Sequence, residues 1–317
     1  MLSTGNSERR GPSLFASLAA LLVLLVLMFG AFLYGRGRAD RGLYFAIEQQ
    51  SKRSEIVATM LKDLYASAGA AKDSVMAETD EESIAFADEA RRLSAALESD
   101  RQELGRLIQI VSRSKEIARF EEFNQAWEKY RALEREILDL AVENTNLKAQ
   151  RLSFVPARDA LARFEAALDK LVEKASPTSE PATSAAPTVA KASSEALIAA
   201  LKIHALQAQH IAEPRDAEMD RIEAQMKVLD LQATDCFSTL STLSNETSQG
   251  AVREAQAAYA DFQKLNLEIL GLSRRNTNVR SLALSLGKQR NATATCRDLL
   301  ESVRDCIQNE APKPSRR

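Results

Sequence analysis

Apolar residues recur along this chain at intervals of three and four, the spacing that lays a single stripe down an α-helix. Phe120, Phe123, Trp127, Tyr130, Ile137 and Ala141 form one such stripe. Ile222, Met226, Leu229, Ala233, Cys236, Leu240 and Leu243 form another, alternating four and three without a slip. That is the seam of a helix packed in a bundle. No stretch sustains the alternation of a strand, so the pattern predicts an all-α chain. One run is different. Ser13 to Tyr34 carries no charge (SLFASLAALLVLLVLMFGAFLY), and at about 1.5 Å per residue it is long enough to cross a hydrocarbon core of roughly 30 Å. A cleaved signal peptide would have a shorter apolar region ending in small residues. Here Phe32, Leu33 and Tyr34 occupy that end, which favours an uncleaved anchor.

The pattern breaks again between Ser176 and Ala192, SPTSEPATSAAPTVAKA. Three prolines among Ser, Thr and Ala read as a linker rather than a regular helix. The linker, taken as residues 174–192, separates two parts of similar length, each able to form an up-down-up-down four-helix bundle: 43–173 and 193–309. The two parts are related. WEKYRALEREILDLAVENTNLKAQRLS from Trp127 and YADFQKLNLEILGLSRRNTNVRSLALS from Tyr259 align with a shift of 132. Asn144-Thr145-Asn146 falls on Asn276-Thr277-Asn278, and Arg158 on Arg290. Earlier helices match with a shift of 140, as Leu61-Lys62 does with Leu201-Lys202. The difference predicts a longer connection between helices two and three in the first copy.

Asn and Thr satisfy backbone groups left free at helix ends. The two triplets are therefore read as turns and caps between helices three and four, with the fourth helices starting near Leu147 and Val279. Asp80-Glu81-Glu82 reads as a helix start, where negative charge favours the dipole.

Composition agrees and removes several functions. Gly (11), Pro (8) and aromatics (5%) are scarce, and net charge is −2, so no basic field points to nucleic acid. Cys236, Cys296 and Cys306 lack Cys-x-x-Cys spacing, and His204 and His210 are not spaced as a ligand pair. No Gly-rich phosphate loop or Ser/His/Asp set is present. The reading is a non-enzyme without cofactor or metal. Cys236 and Cys296 are the one candidate disulfide, at similar heights on helices two and four. Those helices are diagonal in such a bundle, so free buried thiols are expected. His204, aligned with Leu64, is expected in the core.

The long third helix, the ENTN and RNTN turns, NVRSLALSLGKQR and a helix ending in DLLESV resemble the four-helix-bundle sensor domain of methyl-accepting chemotaxis proteins. An N-terminal anchor running into helix one is similar as well. The resemblance implies two tandem sensor modules on a bacterial inner-membrane anchor. Flanking arginines leave the orientation nearly tied. With the anchor at 13–34, the resemblance implies a cytoplasmic tail (1–12) and a periplasmic bulk, and 310–317 is read as a disordered tail. It also implies a small anionic ligand, for which Arg158 and Arg290 are candidates because a guanidinium forks onto a planar anion. Family receptors continue through a second membrane helix to a signalling region, which does not follow Arg317 here, so the chain reads as a sensor without output. Partners would be a helical protein or further copies of the chain. The competing function is a structural envelope protein that assembles with partner helices. The two bundles are compatible both with a paired unit and with independent beads on a string.

Overall fold

The computed structural model describes residues 14–111, 113–175, 185–244 and 248–309, without the side chains of 14–20, 33, 35–43 and 111. All regular structure among them is helical. The helices are α1 (Leu14–Met76), α2 (Asp80–Val111), α3 (Ser114–Glu143), α4 (Thr145–Leu152), α5 (Arg158–Ala175), α6 (Ala185–Ala212), α7 (Asp216–Leu243), α8 (Gln249–Arg275), α9 (Thr277–Leu284) and α10 (Arg290–Asn309). Short π-helical segments, Ser153–Ala157 and Ser285–Gln289, join α4 to α5 and α9 to α10. Two compact units result: one from 1–61, 98–123 and 298–317, the other from 62–97 and 124–297.

In the first unit, α1, α2, α3 and α10 meet. The Gln50 amide donates to the Ile307 carbonyl (3.1 Å), Lys52 pairs with Glu103, and Arg53 pairs with Glu116. Gly105 lies under Phe120, where a Cβ would come within 3.1 Å of the ring. Both members of the Arg53–Glu116 pair are buried, and Glu116 Oε2 has no hydrogen-bond partner. Such a pair is costly to desolvate, and costlier to break from one side.

The second unit holds two helix groups. α1, α2 and α3 bring together Ala70, Ala71, Ala87, Ala90 and Leu138. Against Val75, Ile137 and Ala141 packs Leu284, from the end of α9. The other group is α5, α6, α7 and α8. Its core joins Leu161, Phe164 and Leu168 of α5 to Ile203, Phe237, Tyr259 and Phe262. Phe164 lies 5.8 Å from Phe237 and 5.3 Å from Tyr259, ring centre to ring centre.

The four-helix grouping therefore departs from the expected bundles 43–173 and 193–309. Each fourth helix leaves its own repeat: α4–α5 complete the α6–α8 trio, and α9–α10 join α1–α3. The physical reason is the length of the junction. Asn144 and Asn276 alone separate third from fourth helices, both left-handed at φ 49° and 53°. An antiparallel return within one bundle needs a loop of about 2–5 residues. One residue turns the chain without folding it back.

Two further expectations are corrected. Residues 185–192 are helical rather than linker, with Val189 and Ala192 buried. Pro187 sits in the first turn, where a missing amide costs nothing. Within the expected linker, 176–184 lie outside the described residues, as do the tails 1–12 and 310–317. The connection from α2 to α3 is also the shorter one, Val111 to Ser114 against Leu243 to Gln249. The extra residues lengthen helices instead: α2 has 32 and α7 has 28. As expected, Asp80, Glu81 and Glu82 form the first turn of α2. Of the expected anchor, Ser13 and the side chains of 14–20 and 33 lie outside the described residues. The rest is helical, and its large apolar side chains from Leu21 to Tyr34 are 58–67% exposed. Among the described residues no helix is long and apolar enough to cross a membrane.

Candidate functional site

The repeated triplets meet each other. The Thr145 amide donates to Thr277 Oγ1 (3.1 Å), and the Thr277 amide donates back to Thr145 Oγ1 (3.2 Å). The two hydroxyls are 3.1 Å apart. The Asn146 amide donates to Asn278 Oδ1 (3.1 Å) and the Asn278 amide to Asn146 Oδ1 (3.2 Å). Asn146 Nδ2 reaches Asn276 Oδ1 and Asn278 Nδ2 reaches Asn144 Oδ1, both at 2.8 Å. Neither α4 nor α9 is capped by its own N-cap side chain. Each is capped by the other repeat. Capping was legible in the sequence; capping across the repeats was not.

Beyond the clasp, each group carries a buried polar layer, and the layers occupy equivalent positions. In the first, the Glu134 carboxylate accepts from Ser67, from Ser94 (2.5 Å) and from Tyr130 (3.1 Å). Ser285 donates to Gln289 Oε1 (3.0 Å), and the buried Gln289 side chain acts on Tyr130. In the second, Ser153 donates to Gln207 Oε1 (2.7 Å), whose amide donates to Asn266 Oδ1 (2.9 Å). The shift of 132 places Glu134 on Asn266 and Ser153 on Ser285, and that of 140 places Ser67 on Gln207. Both π segments begin at these serines. Pro156 lies inside one segment, but its counterpart is Lys288, so proline is not what both share. A π turn inside an α-helix often marks a functional position.

Burial pushes the Glu134 carboxyl above the usual carboxylate range, against the pull of its three hydroxyl donors and Arg131. Tyr130 is raised as well, by burial and then by Glu134. Near the clasp, His210 is fully buried between Ser273 (2.8 Å) and Glu223 (2.9 Å). Burial lowers its imidazole below the ordinary value despite Glu223.

Surface concavities flank these layers. Tyr65, Ala68, Gln289, Arg290 and Thr293 line a groove of about 420 Å³ between α1 and α10. Arg91, Ser94, Arg131, Glu134 and Arg135 line a cleft of about 370 Å³ between α2 and α3. Its counterpart between α7 and α8, about 440 Å³, is acidic, with Asp220, Glu223 and Asp230. A larger groove of about 640 Å³ between α6 and α7 is apolar, around Ala205, Leu206, Val228 and Leu229.

The two candidate arginines thus differ in surroundings. Arg290 borders a groove; Arg158 is exposed and paired with its neighbour Asp159 (2.9 Å). The structure does not bring them to one site. Cys236 is in α7 and Cys296 in α10, helices of different groups, and the two form no disulfide. Burial holds the Cys296 thiol up at about 12. His204 is only half-buried, with its ring nitrogen 3.0 Å from the Ser153 carbonyl at the start of the π segment. No group of residues that could hold a metal occurs among the described residues.

Helix groups with buried polar layers and side grooves define a helix-bundle class. The chain matches the four helix bundle sensory module for signal transduction over residues 14–190 and belongs to that family. The matched span runs from α1 into α6; beyond 190 the chain repeats the triplet and the π segment. Comparison with curated proteins and with solved structures gives no match.

Proposed function

We propose that this is a membrane-anchored, periplasmic sensory protein that binds a small anion in the α1–α10 groove. The observation that carries the reading is Arg290 on the wall of that groove, a guanidinium suited to an acceptor ligand. Apolar wall residues, Ala68 and Leu286 among them, would take the body of such a molecule. The uncharged helical run with its exposed Leu21–Phe32 supports an anchor, and the family's usual placement supports a periplasmic bulk. Arg158, exposed and paired with Asp159, takes no part in this proposal. A panel of amino acids and organic acids is screened by thermal shift on the purified chain. A binder present at 100 times its Kd should add about 2.7 kcal/mol, and Arg290→Ala should abolish the shift. A panel without effect, or a shift untouched by Arg290→Ala, defeats the site. Alkaline phosphatase fused after Arg317 should be active, and an inactive fusion defeats the orientation.

A second reading rests on a different observation. Ile198, Leu201, Val228 and Leu231 are exposed along α6 and α7 beside the apolar groove. An exposed apolar stripe of this kind favours assembly with a partner helix or a second copy. Sedimentation separates the readings: a monomer that responds to small acids supports sensing, and self-association abolished by Leu201→Glu supports assembly.

A further inference from the structure

The two buried layers differ at one position that changes their chemistry: a carboxyl at Glu134 where the second group has the amide of Asn266. We propose that Glu134, with the hydroxyls of Ser67, Ser94 and Tyr130, is a proton-responsive element through which the first helix group reads acidity. The ligand here is the proton, so the inference stands or falls separately from the anion groove.

The geometry supports it in three ways. First, the layer ties three helices to one carboxylate: Ser67 from α1, Ser94 from α2 and Tyr130 from α3 all donate to it. Second, Glu134 and Ser94 form part of the wall of the α2–α3 cleft, a path by which solvent protons arrive. Third, an alternative arrangement is in reach. A proton taken from water onto Oε1 turns that oxygen from acceptor to donor, and one of the two hydroxyls facing it must rotate away. Ser67 has a second acceptor, the Ala90 carbonyl at 3.5 Å, and its oxygen then accepts from the new carboxyl O–H. The contact between α1 and α2 changes with protonation. No other bond is made or broken.

The surroundings set the direction. α1 presents Ser67 and the π segment Ser285–Gln289 presents Gln289, neither of which carries charge. α2 presents Arg91, and α3 presents Arg131, Arg135 and Asp139 along the cleft; Tyr130 stays neutral. Burial outweighs these and raises the carboxyl above its ordinary 4.5. The fold therefore binds this proton more tightly than the unfolded chain does. Its contribution to stability is complete below 4.5 and is lost as pH rises through the raised value. His210 in the second group works in the opposite sense. It faces Glu223 on α7 and Ser273 and Arg274 on α8, and its lowered imidazole favours the fold above 6.5. Acidification thus strengthens the first group and weakens the second.

The test uses the intact chain in detergent. Peptide-resolved hydrogen exchange, corrected for intrinsic rate, is read as pH falls from about 7.5 to about 5. Protection in 62–76, 80–97 and 124–143 should itself rise, and Glu134→Gln should remove that rise while leaving the fall in 185–243. Infrared difference spectra should show one carboxyl protonating above the ordinary glutamate range, absent from Glu134→Gln. Tyr130→Phe removes one donor to the carboxylate and should move that titration further up. The proposal is overturned if no carboxyl titrates above the ordinary range. It is equally overturned if the exchange response survives in Glu134→Gln, or if Tyr130→Phe leaves the titration in place.

Discussion

Thr145 and Thr277 offer a direct measure of capping across the repeats. Thr277→Val removes the acceptor for the buried Thr145 amide and the contact between the two hydroxyls; Thr145→Val does the reverse. Both side chains are buried. Each single change therefore leaves one amide unsatisfied, a loss of about 1–3 kcal/mol. For a cooperative unit of this size that corresponds to a fall in Tm of about 2–4 °C per kcal/mol. The hydroxyl-to-hydroxyl bond is counted in both singles but lost only once in the double. The double variant should then be less destabilised than the sum of the singles by about 0.5–1.5 kcal/mol. Urea unfolding of the intact chain, followed by circular dichroism, supplies the four free energies. If each threonine capped only its own helix, no bond would be shared, and the two changes would add to within about 0.5 kcal/mol. Additivity of that quality would refute the reciprocal clasp.

Other interactions make separate predictions. Arg53→Met should cost about 3–5 kcal/mol by leaving Glu116 charged and buried, and adding Glu116→Gln should recover most of it; a harmless single change would refute the buried pair. Arg158→Ala should change stability by less than about 0.5 kcal/mol, since it and its partner Asp159 are both exposed; a larger loss in urea unfolding would refute this surface placement. His210→Gln should abolish the loss of protection in α6–α8 on acidification below 6.5, and an unchanged loss would place the titrating group elsewhere.

Much of the fold can be read in the periodicity, but the grouping of helices cannot. A stripe such as Phe120–Ala141 says that α3 has a buried face, not which fourth helix covers it. That choice depends on the junction. A start near Leu147 would leave a turn of several residues, enough for an antiparallel return. Helix begins instead at Thr145, because left-handed Asn144 uses a conformation asparagine tolerates better than most residues. Proline content misread 185–192 for a similar local reason: Pro187 falls in the one turn that accepts it. The polar layers left a fainter signal. The α3 stripe runs 127, 130, 137, 141 and lacks an apolar residue at 134, where the seam requires one; in α8 the same gap is Asn266. A charge on a seam position marks a buried charge with partners, but two of the three partners of Glu134, Ser67 and Ser94, come from other helices and are invisible in one dimension. His210 is missed for the same reason, since its partners Glu223 and Ser273 lie on two other helices.

The exchange bears on the choice between a paired unit and independent beads, because neither trio is completed by its own fourth helix. A fragment from Ala185 to Arg317 keeps α6, α7 and α8 but loses α5. With α5 go Leu161, Phe164, Leu168 and Leu171, all buried in the second group. At about 1.5–3 kcal/mol for each large side chain, that is roughly 6–12 kcal/mol, comparable to the whole stability of an ordinary domain. The fragment still carries α9–α10, but the single residue Asn276 before α9 does not let it fold back onto its own trio. Two copies can satisfy each other instead, each lending α9–α10 to the partner's α6–α8, with the Asn276-Thr277-Asn278 triplets clasping as the two repeats do in the intact chain. The fragment should therefore sediment as a dimer whose melting temperature rises with concentration, and Thr277→Val should weaken the dimer. A monomer melting where the intact chain does would show that helix four can return to its own bundle, and the exchange would then be no requirement of the sequence.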